Sequence, residues 1–434
     1  MDKMADVLGR AGAWCGQNKY LSAIKNAFQN FMPLTIAGAI GVLWCNVLVN
    51  ESTGLGIFFK PIMALEFLNP AFQAVNFCTI SCITVGITLG IAQEIGVWNM
   101  GAEKAGYIPG LVGLAAWLSV TNTSHMVEGA KEAFTGIAGN ELGATGLFTG
   151  MIIGVLSVEL FCFFEKQDAL KIKMPEQVPP GVARAFEVLV PATITLIITA
   201  CIGSACYNLT GLYLNDVIKN GIQGPLGAVG ATIPGVMIIY LVIMLFWLVG
   251  IHGNNMLSAV KEALFTPLAL ENVEAFNKGE TPKNIINMYF LQMCGEFGGS
   301  GVTIGLVIAI MIFGKREDNK AIASLSLVPG LFNINETVTF GIPMVLNPIL
   351  GIPFVFACLV TILVGYVLTV IGFCPVACLT VPWTTPPIVF GFLATGANIM
   401  GAVTQAILIV VSTVIYTPFL ISYEKYQNKQ AAEA

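Results

Sequence analysis

The sequence predicts an all-α polytopic membrane protein with about ten transmembrane helices and two re-entrant hairpins. Three observations lead there. Hydrophobic residues are 56% of the 434 and charged residues only 10%, whereas a soluble domain carries roughly 25% charged residues. The apolar residues gather in runs that meet the requirement of about 20 helical residues for a hydrocarbon core of about 30 Å. Two stretches in the second half are too polar to span and too apolar to be ordinary loops, as expected where non-helical backbone lines a cavity.

Taken in order, the chain opens with charges at Asp2, Lys3, Asp6, Arg10, Lys19 and Lys25. They leave no room for the apolar core and small-residue end of a cleavable signal, so the start is expected to remain in the mature chain. Clear spans follow at Phe28 to Val49, Ala71 to Ala92, Gly143 to Phe164, Ala183 to Ala205, Val229 to Ile251, Ile285 to Phe313, Ile352 to Phe373 and Gly401 to Ile421. Weaker ones run from Tyr107 to Val120 and from Ile388 to Ile399. Gln167 to Gly181, with mixed charge and three prolines, reads as the one strongly loop-like internal stretch. Phe58 to Phe67 and Leu212 to Ile222 read as short amphipathic pieces along the membrane surface or packed on neighbouring helices.

Basic residues orient the spans. Lys3 to Lys25, then Lys166, Lys171, Lys173 and Arg184, then Lys425 and Lys429, place the N-terminus, the central loop and the C-terminus in the cytoplasm. Lys315, Arg316 and Lys320 also look cytoplasmic, but simple alternation after Arg184 puts them outside unless an intervening segment is re-entrant. The candidates are His252 to Leu268, interrupted by HGNN, Lys261 and Glu262, and Leu327 to Asn347, with Gly and Pro on both sides of a polar centre.

An ionisable side chain within a bilayer costs roughly 2.5 to 3.5 kcal/mol on insertion scales, so each is a functional candidate. Glu336 and His252 stand out, each beside amides: Asn254 and Asn255 follow the histidine, and Asn333 and Asn335 precede the glutamate. Carboxylate, imidazole and carboxamide together supply the donors and acceptors that replace water around sugar hydroxyls. Trp247 and Trp383 offer the flat apolar faces on which a pyranose packs. Blander roles exist for each: His252 as a helix cap, Glu336 in a buried ion pair with Lys261, the tryptophans in an interfacial belt.

Other chemistries have little footing. A net charge of −5 gives no nucleic-acid footprint. The eleven cysteines lie mostly in apolar runs, where cysteine acts as a small hydrophobe, and the two histidines lack cysteines at zinc-ligand spacing, so neither metal nor cofactor is expected. No phosphate-binding G-x-x-x-x-G-K-[ST] loop is present, and no soluble domain carries a phosphorylatable histidine or cysteine. Any phosphoryl donor must be another protein.

HGNN at His252 to Asn255, FNINETVTFGIPMVLNP from Phe332 to Pro348, and VPWTTPP from Val381 to Pro387 resemble the lactose, cellobiose and chitobiose branch of phosphotransferase enzyme IIC subunits. The resemblance covers essentially the whole chain. It implies a homodimer in the bacterial cytoplasmic membrane, residues 1–225 forming the scaffold and dimer helices and 226–434 the sugar-binding part, which moves like an elevator. It implies a β-linked disaccharide as substrate, and a soluble enzyme IIB whose phosphocysteine phosphorylates the sugar 6-hydroxyl. Glu336 and His252 then hold and orient the sugar, with Asn254, Asn255, Asn333, Asn335, Trp247 and Trp383 around it. A proton-coupled secondary transporter and a non-catalytic channel or scaffold are the competing readings.

Overall fold

Helix is the conformation in which a single segment crossing lipid pairs its own backbone groups, and the long runs of Leu, Ile, Val, Phe and Ala adopt it. A computed structural model describes residues 10, 13–14, 17–51, 56, 59–125, 134–175 and 177–433. Of the described residues, 76% are helical. Among the described residues, six helices are long and apolar enough to cross a membrane: Lys19–Leu48, Lys60–Met100, Ala144–Glu165, Pro180–Thr210, Gly351–Val370 and Ile399–Gln430. Shorter apolar helices run over Ile108–Val120, Ile233–Leu248 and Ile304–Phe313. The chain is a multi-pass membrane protein.

The described residues divide by their contacts into two compact units. One holds Gln17–Gly38 and Ala74–Gly227; the other holds Ala39–Gln73 and Ala228–Ala434 with the described residues before Gln17. In the first, Ile83–Met100, Ile108–Val120 and Ala144–Glu165 pack face to face through small residues. A side chain at Gly113 would strike Ala92, and one at Gly150 would strike Thr88, the close backbone approach by which helices associate in lipid. Ala116, Trp117, Val120 and Ile153 form its buried centre. Buried Glu165 closes the unit's charged end, accepting from Lys104 at 2.8 Å and Arg184 at 3.0 Å.

The second unit departs from the sequence expectation in an informative place. Ile285 to Phe313 was expected to span as one helix, yet Met288–Gly295 and Ile304–Phe313 are separate helices joined by residues 296–303. Glycine is the cause: Gly298, Gly299 and Gly301 take φ of 67°, 88° and 77°, the left-handed conformation that ends a helix and that other residues resist. Ile388 to Ile399 is likewise not a continuous helix, since only Val389–Ala394 coils and Ile388 before it has φ of 76°.

Both polar stretches are interrupted. At the first, one helical turn, Gly253–Met256, gives way to a helix over Ser258–Asn277. At the second, the Glu317–Leu331 helix ends after Pro329, the chain turns through residues 332–335, and Glu336–Gly341 coils back. A side chain at Gly341 would press on Ile322, so the two arms lie against each other.

The loop holding Lys315, Arg316 and Lys320 is tied to the last helix. Glu424, 5% exposed, accepts from the backbone N–H of Lys315 at 2.8 Å and of Arg316 at 3.3 Å, and from Asn319 Nδ2 at 3.2 Å. Arg316 also donates to Asn428 at 2.8 Å, and its guanidinium holds the carboxyl of Asp318 below the usual carboxylate range. The loop therefore lies at the same end as the C-terminal part of the Ile399–Glu433 helix.

The glycine break yields a stability prediction. Gly279 has φ of 73° with open space around it, so Gly279→Ala adds only left-handed strain, about 1 kcal/mol. Gly301→Ala also drives a methyl into the Phe354 ring, which costs about 1 to 3 kcal/mol more. In detergent, thermal unfolding of Gly301→Ala should begin well below that of Gly279→Ala; equal midpoints would mean that the 296–303 loop yields freely.

Candidate functional site

The site grows from the end of the Ile233–Leu248 helix. Thr232 caps its start, accepting from Gly235 N–H at 3.2 Å, and Gly250 at φ 82° turns the chain after its last turn. A side chain at Gly253 would collide with the Ile243 carbonyl, so glycine lets the HGNN turn fold back against its own helix. His252 caps the Gly253–Met256 turn, its Nδ1 accepting from Asn255 N–H at 3.3 Å. The helix-cap role and a functional role are thus compatible: a neutral imidazole whose Nδ1 accepts carries its proton on Nε2. That nitrogen faces Glu336 Oε1 at 4.0 Å.

The NINE turn is held by the broken helix. Asn333, itself left-handed at φ 63°, accepts from Gly298 N–H at 2.6 Å through Oδ1. Its Nδ2 donates to the Trp383 carbonyl and, at 3.1 Å, to that of Thr385. One carboxamide therefore joins the break, the NINE turn and the VPWTTPP loop. Asn335 is buried, with Nδ2 donating to the Ser300 carbonyl at 2.7 Å. After the hairpin, Leu346 N–H donates to the Leu248 carbonyl at 2.8 Å, bringing this segment to the helix that presents His252.

Glu336 and His252 come together, and their side chains are 48% and 39% exposed. Asn255 and Trp383 are exposed. Trp247 lies behind His252: its ring is 1% exposed, 4.4 Å from the imidazole, and edge-on to Phe354 at 6.4 Å. Asn254 turns inward, donating to Ser300 Oγ at 2.9 Å and accepting from Lys261 Nζ at 3.2 Å.

The ion pair considered for Glu336 with Lys261 is not formed. Lys261 pairs with Glu296, whose Oε1 also accepts from the Tyr240 hydroxyl at 2.7 Å. Glu296 is the residue that sequence reasoning missed, having been absorbed into the expected Ile285 to Phe313 span. An acid beside Gly295, Gly298, Gly299 and Gly301 inside an apolar run was the available signal.

Interrupted helices, amides spent on holding the interruptions, and a half-exposed acid–imidazole pair are the features expected of a membrane transporter for a polar solute. Comparison with known proteins makes this specific. The family model "Phosphotransferase system, EIIC" matches residues 25–358, and the chain belongs to that family. It is 34% identical over 429 residues to the "PTS system oligo-beta-mannoside-specific EIIC component" of Bacillus subtilis (strain 168), covering 98% of this chain and 94% of that one. It is 29% identical to the "PTS system cellobiose-specific EIIC component" of Lactococcus lactis subsp. lactis (strain IL1403), covering 98% of each. Among solved structures it is similar to the transporter ChbC, the IIC component from the N,N'-diacetylchitobiose-specific phosphotransferase system, with TM-score 0.88, 30% identity and 97% of each chain covered.

Asn333 gives a direct check on this construction. Asn333→Ala removes the partner of Gly298 N–H and of two carbonyls, and a buried group left unpaired costs about 1 to 3 kcal/mol. The variant should unfold at lower temperature and bind sugar more weakly by isothermal titration; unchanged values for both would show that the three loops are held by other means.

Proposed function

We propose that the protein translocates a β-linked disaccharide, of the cellobiose or chitobiose type, across the membrane coupled to its phosphorylation by a phosphorylated enzyme IIB. The observation that carries this is the half-exposed Glu336–His252 pair, 4.0 Å apart, on a frame of buried amides. Membership of the EIIC family supports the coupling, and the names of the relatives support β-linked saccharides as the substrate class. The same membership speaks against a proton-coupled secondary transporter.

In this reading Glu336 and His252 hold the sugar, Asn255 and the exposed face of Trp383 contact it, and Trp247 backs the imidazole. Asn254, Asn333 and Asn335 shape the site by holding its loops. Transfer breaks the S–P bond of a phosphocysteine on enzyme IIB and forms an O–P bond to the sugar 6-hydroxyl. Such transfer is chiefly positioning and charge stabilisation, and Glu336 takes the hydroxyl proton as the oxygen attacks. The IIB partner is read as a separate soluble chain, a reading supported by the relatives named as EIIC components.

The remaining architecture is proposed on the same basis. Six long spans and three shorter apolar helices approach the count of about ten crossings, with re-entrant hairpins at the HGNN and NINE segments. Residues 1–225 form a scaffold that pairs two copies, and 226–434 carry the sugar in an elevator-like movement. Both termini face the cytoplasm across the inner membrane, as the basic loops suggest.

The decisive experiment is uptake of radiolabelled cellobiose and chitobiose into vesicles bearing the protein, with and without the phosphorylated partner. Sugar phosphate inside, dependent on the partner, is expected; free sugar accumulating with a proton gradient would overturn the reading. Glu336→Gln should lower the phosphorylation rate at saturating sugar by roughly 10²- to 10⁴-fold, the usual contribution of a proton acceptor. An unimpaired rate would remove Glu336 from that role.

A further inference from the structure

Beneath the exposed pair lies a second pair of opposite charges. Lys261, on the Ser258–Asn277 helix, and Glu296, at the start of the glycine break, have side chains 8% and 19% exposed. Three elements converge on them. The Tyr240 hydroxyl donates to Glu296 Oε1 at 2.7 Å, and its ring lies 5.6 Å from Lys261 Nζ. Lys261 Nζ donates to Asn254 Oδ1 at 3.2 Å. Asn254 Nδ2 reaches Ser300 Oγ at 2.9 Å, and the Ser300 carbonyl accepts from Asn335 Nδ2 at 2.7 Å.

This chain of contacts is continuous from Tyr240 to Asn335. It passes through Asn254, two residues after His252, and ends one residue before Glu336. The two groups proposed to hold the sugar are therefore attached to one buried network, His252 at Asn254 and Glu336 at Asn335 with Ser300 between them, and the neutral ion pair holds Asn254 from the other side. A charge in low-dielectric surroundings is tolerated when paired, and loss of one partner leaves the other uncompensated. Without Lys261, Glu296 would be left an uncompensated charge beneath the segment that presents His252. Without Glu296, the ammonium would lose its counter-charge while still bonded to Asn254, two residues after His252.

We infer that Lys261 and Glu296 are positioning residues that set the distance between His252 and Glu336, and through it the affinity for sugar, without touching the sugar themselves. The inference rests on the reading of His252 and Glu336 as sugar-holding groups. The pair's charges balance, so its effect depends on keeping both or neither. Binding, rather than the chemical step, carries the signature, because the brace acts equally before and during phosphoryl transfer.

The test is phosphorylation kinetics in vesicles with the phosphorylated partner, using Lys261→Met, Glu296→Gln and the double variant, with amounts normalised to folded protein by size-exclusion chromatography. Each single variant should raise the sugar KM by about tenfold or more, as expected for groups coupled within one network, with kcat little changed. The double variant should recover most of the loss. Should the single variants fail to fold, Tyr240→Phe removes a contact to Glu296 without altering charge and should raise KM severalfold, and the double variant remains measurable against it. Unchanged KM in the folded variants, or losses in the double variant that simply multiply, would overturn the inference and leave the pair a purely structural one. That failure is separate from failure of the Glu336 assignment, which would appear as normal kcat in Glu336→Gln.

Discussion

The second unit depends on one constraint: a backbone interrupted in an apolar, buried setting has no water to satisfy it, so each freed N–H and C=O needs a partner from the protein. Residues 296–303 break what would otherwise be a membrane-length helix. Side chains from elsewhere complete the bonding. Ser412 donates to the Val302 carbonyl and Tyr416 to that of Gly301, both at 2.8 Å, from the last long helix. Thr303 donates to the Gly298 carbonyl at 2.8 Å, Asn335 to that of Ser300, and Asn333 accepts from Gly298 N–H. The C-terminal helix and the NINE turn are thus fixed where the break requires them. The position of Glu336 follows from that requirement.

The same logic recurs at a second irregular loop. Gln405, buried in the last long helix, accepts from Ile388 and Gly391 N–H at 2.7 Å each and donates to the Met293 carbonyl at 3.1 Å. Asn272 and Asn287 both donate to the Ala377 carbonyl at 3.0 Å. Polar residues within apolar helices here serve irregular backbone, and their amides are fully engaged in doing so. The last long helix is consequently more than a lipid-facing wall, since Gln405, Ser412 and Tyr416 on it serve two irregular loops.

Composition and run length made the membrane class and most of the long spans legible, because both are sums over many residues. The HGNN and NINE segments were legible for a related reason: ionisable groups among apolar neighbours are costly enough to demand a purpose. The break at residues 296–303 was not, since hydropathy is blind to φ and the glycines count as neither polar nor charged. Glu296 was hidden with it. The partner of Lys261 could not be read because ion pairing is a matter of three-dimensional proximity, and Glu336, the nearer motif in chemical character, was the natural guess. The anchoring of the Lys315 loop to the last helix was illegible for the same reason, its partner Glu424 lying 109 residues away.

The network also separates two kinds of polar group that the sequence presents alike. Asn254, Asn333 and Asn335 have their amides committed to protein partners, so a sugar could engage them only by displacing bonds already made. Glu336 and the Nε2 side of His252 are half-exposed and separated by 4.0 Å, longer than a direct hydrogen bond. Groups of that kind are the ones able to exchange water for hydroxyl at small loss. A site for a polar, flexible solute is best built from few such groups on a frame that does not move when they are occupied, since ordering the frame would otherwise be charged against affinity. The amides supply the frame, the glycine break gives it shape, and the acid–imidazole pair is left half-exposed, the part that the proposed function assigns to the sugar.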